Sequence, residues 1–283
     1  MSETESDLVD YQALARLDGQ VHAIVGGGSG IGLESARALA AFGATVICLD
    51  SDPAAAENAA AEVGGTPAVA DVRDDEAFAE ALTSAVQAHG RLDGVIDVVG
   101  RGRHGRISEF DRKDFDEVYE LGAVQALACL RLGAKLMTGP GSIVFVASVN
   151  GGRSSAFNAV YGSSKAAILS LVRSAAVELG PVGIRVNAVS PGVTRTPLLR
   201  SEEYASLLRA NTAITPLGRL AEPSDIASAL LYLSLPLARH VTGQDIVVDG
   251  GLSQRSAQVP VGGWGAWSDA LTEPQEPLEI SRP

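Results

Sequence analysis

Val21-His22-Ala23-Ile24-Val25-Gly26-Gly27-Gly28-Ser29-Gly30-Ile31-Gly32, running into an Ala-rich stretch that ends near Phe42, decides the fold. The run Val21–Val25 predicts a buried strand, and the Ala-rich stretch predicts a helix. The glycines between them permit positive φ and bring backbone N–H groups close to an anion. A pyrophosphate held there would sit at the positive end of the helix dipole. Glycine-rich turns are common punctuation, so the weight comes from the position between strand and helix. The next predicted strand, Ala44–Leu49, leads into Asp50, 18 residues beyond Gly32. Asp50 reads either as the start of a turn with Ser51 and Asp52 or as the acceptor for ribose hydroxyls. The spacing favours the second. A carboxylate there repels the 2′-phosphate of NADP, and nothing basic stands in the glycine loop or directly after Asp50. The expected cofactor is NAD.

Outward from this unit the same alternation continues. Pro67–Ala70, Gly94–Val99, Ser142–Ala147, Ile184–Val189 and Asp245–Val248 read as further buried strands. Gly30–Phe42, Asp52–Val63, Asp75–His89, Arg112–Met137, Ala156–Leu179 and Pro223–Leu233 read as helices. Strands alternating with such helices imply right-handed crossovers and a parallel sheet covered on both faces. The expectation is an α/β, Rossmann-type doubly wound parallel sheet of about seven strands. Residues 1–19 read as an acidic N-terminal extension, 20–252 as one domain and 253–283 as a C-terminal tail. The tail carries an apolar patch, Val259–Trp267, with Trp264 and Trp267.

Composition excludes several classes. Of 283 residues, 46% are hydrophobic and 20% charged, the balance of a globular chain. A net charge of −12 argues against a nucleic-acid partner, whose phosphates need Lys and Arg. No apolar run reaches the roughly 20 residues of a membrane helix. Met1–Asp10 lacks the basic-then-apolar pattern of a signal peptide, so a cytoplasmic location is expected. Two cysteines, Cys48 and Cys129, read as buried free thiols, and no metal site is expected.

Tyr161-Gly162-Ser163-Ser164-Lys165 puts a phenol and an ammonium on one helix face. A nearby cation favours the phenolate, which suits proton transfer. Such a pair is common by chance, but here Ser148 closes a predicted strand 13 residues upstream. With these residues the chain resembles the short-chain dehydrogenase/reductase family, in its compact one-domain branch, through most of residues 20–252. The match includes Gly26, Gly30 and Gly32, and Asp71-Val72 in place of the pair that cradles adenine. It continues through Asn187–Thr196, the segment that meets nicotinamide, then Pro216–Arg219, Thr242–Gln244 and Val248–Gly251. The resemblance implies cofactor contacts from Gly26, Ser29, Gly30, Ile31, Gly32, Asp50, Asp71, Val72, Gly100, Tyr161, Lys165, Pro191, Gly192, Val193 and Thr196. It implies that hydride passes between a substrate carbon and nicotinamide while Tyr161 carries the proton. By the same resemblance Ser148 orients the substrate oxygen, Lys165 holds the nicotinamide ribose, and Asn150 joins Ser148 and Tyr161 at the substrate. The substrate is expected to be a secondary alcohol or its ketone.

Three departures stand out. Val25 replaces the threonine that opens the family's glycine loop, and Asp97-Val98-Val99-Gly100 replaces Asn-Asn-Ala-Gly, so an amide donor is lost at 97. Gly122 stands where the family has its fourth catalytic residue, an asparagine. There it keeps a main-chain carbonyl and tolerates an irregular backbone. A catalytically degenerate NAD-binding sensor, or a dehydratase or epimerase, is the alternative to a dehydrogenase. Arg101, Arg103, His104 and Arg106 follow the fourth strand, either as a solvated loop or as receptors for an anionic substrate group. Thr196–Thr215 corresponds to the family's substrate lid. Assembly as a homotetramer is expected, with the tail either crossing subunits or touching only its own domain.

Overall fold

The computed structural model describes residues 9–200 and 204–254, and the tail lies outside them. Seven strands form one sheet: β1 (Val21–Val25), β2 (Thr45–Asp50), β3 (Thr66–Val69), β4 (Gly94–Asp97), β5 (Gly141–Val146), β6 (Ile184–Pro191) and β7 (Asp245–Val248). Their order is β3-β2-β1-β4-β5-β6-β7, and every pair is parallel. In β1, alternate side chains serve two separate cores. Val21, Ala23 and Val25 pack with helices α4 (Asp75–His89), α6 (Gln125–Leu136) and α8 (Ala159–Leu179) through Phe78, Leu132 and Ile168. Ile24 faces α2 (Gly30–Ala41), α3 (Pro53–Val63) and α10 (Pro223–Ser234) through Leu39, Ala59 and Leu230. Helices on both faces explain why the strands read as apolar runs without alternation. Cys48 and Cys129 are both free and buried.

Of the acidic lead-in, Asp10 caps the short helix α1 (Tyr11–Leu14), and Leu17 is fully buried with its N–H on the Phe42 carbonyl. The helix expected over Arg112–Met137 is three pieces: α5 (Arg112–Tyr119), a π-helical turn over Glu120–Val124, and α6. The apolar pattern runs through all three, so periodicity alone hides the extra residue. Gly122 lies at the centre of the turn, where it packs closely on Ser164 of α8. The expected lid region holds a 3₁₀ turn, Pro197–Arg200, and helix α9 (Ala205–Ile214).

The chain reverses direction across the sheet between β1 and β4. Such a switch point opens a crevice outside the carboxyl ends of the strands. Into it lead the glycine loop after β1, Gly100 after β4, Ser148 after β5 and Gly192 after β6.

Candidate active site

The glycine loop is shaped by close approach. A β-carbon at Gly32 would overlap the Gly26 carbonyl oxygen, and one at Gly28 would fall 2.7 Å from Asp50 Oδ2 and 2.6 Å from the Ala55 methyl. Gly26 and Gly30 take φ of 84° and 53°, open to glycine at little cost. The Ser29 hydroxyl makes no capping bond to α2, so the first N–H groups of that helix are left without a side-chain cap. Asp50 at the end of β2 accepts from Gly28 N–H (2.9 Å) and Asp52 N–H (3.1 Å), which couples the turn reading to the ribose reading. Val72 is buried, whereas the Asp71 carboxylate is held by Arg73 and lowered below its ordinary range by that pairing. Pro191 ends β6, and Gly192 packs on Asp249 with its N–H on the Val248 carbonyl. Val193 holds the Ala221 N–H, and Thr196 with Pro197 comes down over Gly30. This groove fits a dinucleotide: it is closed to β-carbons, lined by unspent donors, and acidic at the end where ribose hydroxyls would lie.

Across the crevice, Lys165 is 3% exposed, and its Nζ donates to the Val146 carbonyl at 2.8 Å, two residues before Ser148. The same Nζ lies 5.9 Å from the Tyr161 ring centroid. The chain after β4 passes close over the ammonium at Gly100, where a β-carbon would stand 2.7 Å from Nζ and displace the lysine end. Ser148 is buried at the head of α7 (Val149–Gly152), and its Oγ accepts from Asn150 N–H at 3.2 Å. Glycines lock that turn onto α8, with Gly151 against the Lys165 backbone and Gly162 against the Asn150 carbonyl. The Asn150 amide oxygen accepts from the Ser155 hydroxyl (2.9 Å), so this side chain is committed to its own loop. Tyr161, Lys165 and Gly100 thus lie together, and Ser148 follows two residues after the carbonyl that holds Lys165.

A family model described as enoyl-(acyl carrier protein) reductase matches residues 25–253. The galactitol 2-dehydrogenase (L-tagatose-forming) of Cereibacter sphaeroides is 38% identical over 251 residues, covering 86% of this chain and 98% of that one. The chain belongs to the short-chain dehydrogenase/reductase family. Among solved members, gox2181 superposes with a TM-score of 0.83 at 30% identity, covering 87% of this chain and 100% of that one. A 7α-hydroxysteroid dehydrogenase complexed with NADH and 7-oxo glycochenodeoxycholic acid gives 0.80 at 32%, covering 86% and 98%. This short-chain dehydrogenase/reductase is an oxidoreductase acting on CH–OH groups.

The family's asparagine after β4 is Asp97 here, 2% exposed. One oxygen accepts from Val99 N–H (2.9 Å) and the other from Gln125 Nε2 (3.0 Å). The Gln125 partner, 28 residues away, was not signalled by the sequence pattern. Burial pushes the carboxyl up to about 6, against the opposing pull of these donors and of the Lys165 charge. From pH 3.8 to about 6 the unfolded chain gives up this proton first, so stability falls as pH rises and levels off above about 6. At about 1.4 kcal/mol per unit the penalty at neutral pH is roughly 3 kcal/mol. Gln125 Oε1 is a buried acceptor without a partner among the described residues. Asp97→Asn removes the charge, and a turned Gln125 amide can then accept from the new Nδ2. Thermal melts should show the variant more stable at pH 7, with the gain gone below about pH 4. A pH-independent difference would remove Asp97 titration as the cause.

Proposed function

We propose that the protein is an NAD-linked dehydrogenase that interconverts a secondary alcohol and a ketone. The observation that carries this reading is the buried Lys165 ammonium beside Tyr161, with Gly100 clearing the space above it. NAD would supply the hydride acceptor at the substrate carbon. Gly26, Ser29, Gly30, Ile31 and Gly32 would take its phosphates, Asp50 its ribose hydroxyls, Asp71 and Val72 its adenine end. Pro191, Gly192, Val193 and Thr196 would close over its nicotinamide end. Ser148 Oγ holds the alcohol oxygen in hydrogen-bond reach of the Tyr161 phenol, which moves the proton. Lys165 keeps a fixed positive charge where the phenolate develops, and it needs no solvent reorganisation to do so.

Two relatives support the direction of this reading, one named for a galactitol dehydrogenase and one solved with NADH. Asp50 supports NAD over NADP, since its carboxylate already points at the Gly28 amide where an added phosphate would crowd it. Asp50→Ala is therefore expected to narrow the NAD/NADP preference in kcat/KM by at least tenfold, read as reduced-cofactor absorbance. An unchanged preference would count against the cofactor assignment. Tight NADH binding without turnover across a broad alcohol screen would instead favour a cofactor sensor. We further propose a homotetramer, supported by Val247 on edge strand β7, Tyr232 on α10 and Leu127 on α6, which are all at least 40% exposed.

A further inference from the structure

The loop between β4 and the 3₁₀ turn Ile107–Glu109 reads Gly100-Arg101-Gly102-Arg103-His104-Gly105-Arg106. Its glycines press it onto the reaction centre. Gly100 lies over the Lys165 ammonium, and a β-carbon on Gly102 would stand 3.3 Å from Tyr161 Cδ2. The His104 ring meets the Tyr161 ring edge-on, 6.4 Å between centroids. Gly105 N–H reaches across to the Phe157 carbonyl at 3.0 Å, which ties the loop to the segment after α7. Phe157 itself takes φ of 66° and is 57% exposed. A strained aromatic residue at such a mouth is an observation that points to use rather than packing.

The basic side chains of this loop separate into two kinds. Arg103 is consumed by the fold: it pairs with Asp114 at the start of α5 and lies over the Phe110 ring. Arg101, His104 and Arg106 have no carboxylate within ion-pair distance among the described residues. Elsewhere arginines such as Arg16, Arg37, Arg73, Arg112 and Arg219 have found one. The chain carries 34 acidic against 22 basic Lys and Arg side chains, and Arg101 and Arg106 stay without an ion pair among the described residues on the loop whose Gly102 and His104 pack on Tyr161. One loop at the reaction centre thus carries two exposed guanidinium groups without a carboxylate partner among the described residues, and the exposed His104 imidazole against the Tyr161 ring.

We propose that the substrate of this centre carries an anionic oxygen group, a carboxylate or its phosphate counterpart, which Arg101 and His104 receive while Phe157 faces the apolar part. This rests on the dehydrogenase reading and narrows its substrate class to anionic secondary alcohols and the corresponding oxo acids. A guanidinium at a half-open mouth attracts carboxylates in a salt-dependent way, and its contribution falls mainly on substrate capture rather than on the proton transfer itself.

The test compares hydroxy acids with neutral forms of the same skeleton: mandelate, 3-hydroxybutyrate and 3-hydroxyoctanoate, each against its methyl ester and primary amide, with NAD and absorbance detection. The expected result is an acid-to-ester ratio of kcat/KM above about 10 that shrinks as salt is raised. In Arg101→Gln and His104→Gln, that ratio should fall at least tenfold, chiefly through KM for the acid. Arg112→Gln, which removes the same charge from the paired surface of α5, should leave the ratio in place. Preference for the neutral forms, or a ratio untouched in both loop variants, overturns the inference while leaving the dehydrogenase reading standing. If no member of the panel turns over, binding of the matching oxo acids to the NADH complex is followed by cofactor fluorescence. Salt-sensitive binding lost in Arg101→Gln supports the anionic site. Absence of any such binding overturns it. Failure of the dehydrogenase reading has a different signature, NADH binding with no turnover of charged or neutral alcohols alike.

Discussion

Tyr161→Phe is expected to lower kcat by about two to four orders of magnitude while leaving NADH affinity nearly unchanged. The range is the ordinary value of a positioned proton-transfer group. The substitution removes one oxygen and keeps the ring that packs against Gly102 and His104. It also leaves Lys165 its main tie, because the ammonium is anchored to the Val146 carbonyl rather than to the phenol oxygen. Stability and cofactor binding therefore have no reason to fall with the rate. Single-turnover measurement with saturating cofactor isolates the chemical step from binding. Turnover within tenfold of the parent would take the phenol out of the mechanism and leave the proton to another group at the mouth.

The local parts of this site were legible in the sequence because they depend on short spacing. Tyr161 and Lys165 share a face for reasons of helical pitch, and the Gly26–Gly32 turn follows from the strand before it and the helix after it. The parallel sheet of about seven strands follows from the alternation of apolar runs and helices with right-handed crossovers, whereas the order in which the strands lie is a finding of the structure. What stayed hidden is long-range and depends on single contacts. No pattern says that Gly100 passes over Lys165, or that Arg103 belongs to Asp114 while Arg101 has no such partner among the described residues. Nor does it show that the Asp97 carboxylate, stripped of the amide's donor, is met by Gln125. The π turn at Gly122 escaped because one inserted residue barely disturbs a period of 3.6, yet it decides what that part of the chain presents to α8.

Gly122→Asn puts in place the asparagine that the family resemblance implies at this position, and it is expected to damage this protein. Gly122 is buried at the centre of the π turn, and a β-carbon there would overlap Ser164 Oγ and stand 3.3 Å from Ser164 Cβ. Ser164 is 1% exposed, adjoins Lys165, and its hydroxyl has no partner among the described residues. The Ser164 hydroxyl is the atom that blocks an added β-carbon, whereas the Ser164 β-carbon at 3.3 Å need give by only a few tenths of an ångström. Overpacking of this kind costs about 1–3 kcal/mol. For a domain of this size that corresponds to a fall of several degrees in Tm. Any displacement of α8 at Ser164 passes to the neighbouring Lys165, whose buried ammonium leaves little slack between Val146 and Gly100. The rate should accordingly fall along with Tm, and not rise toward that of a complete asparagine-bearing centre. Ser164→Ala alone removes an unpaired buried hydroxyl and should be close to neutral. Combined with Gly122→Asn, it should recover a good part of the lost stability, because two residues in contact do not add independently. Melting curves and kcat for the two single variants and the double variant complete the cycle. A single Gly122→Asn variant with unchanged Tm and a clearly higher kcat would show that glycine is a lesion in the relay and not one half of a matched pair with Ser164.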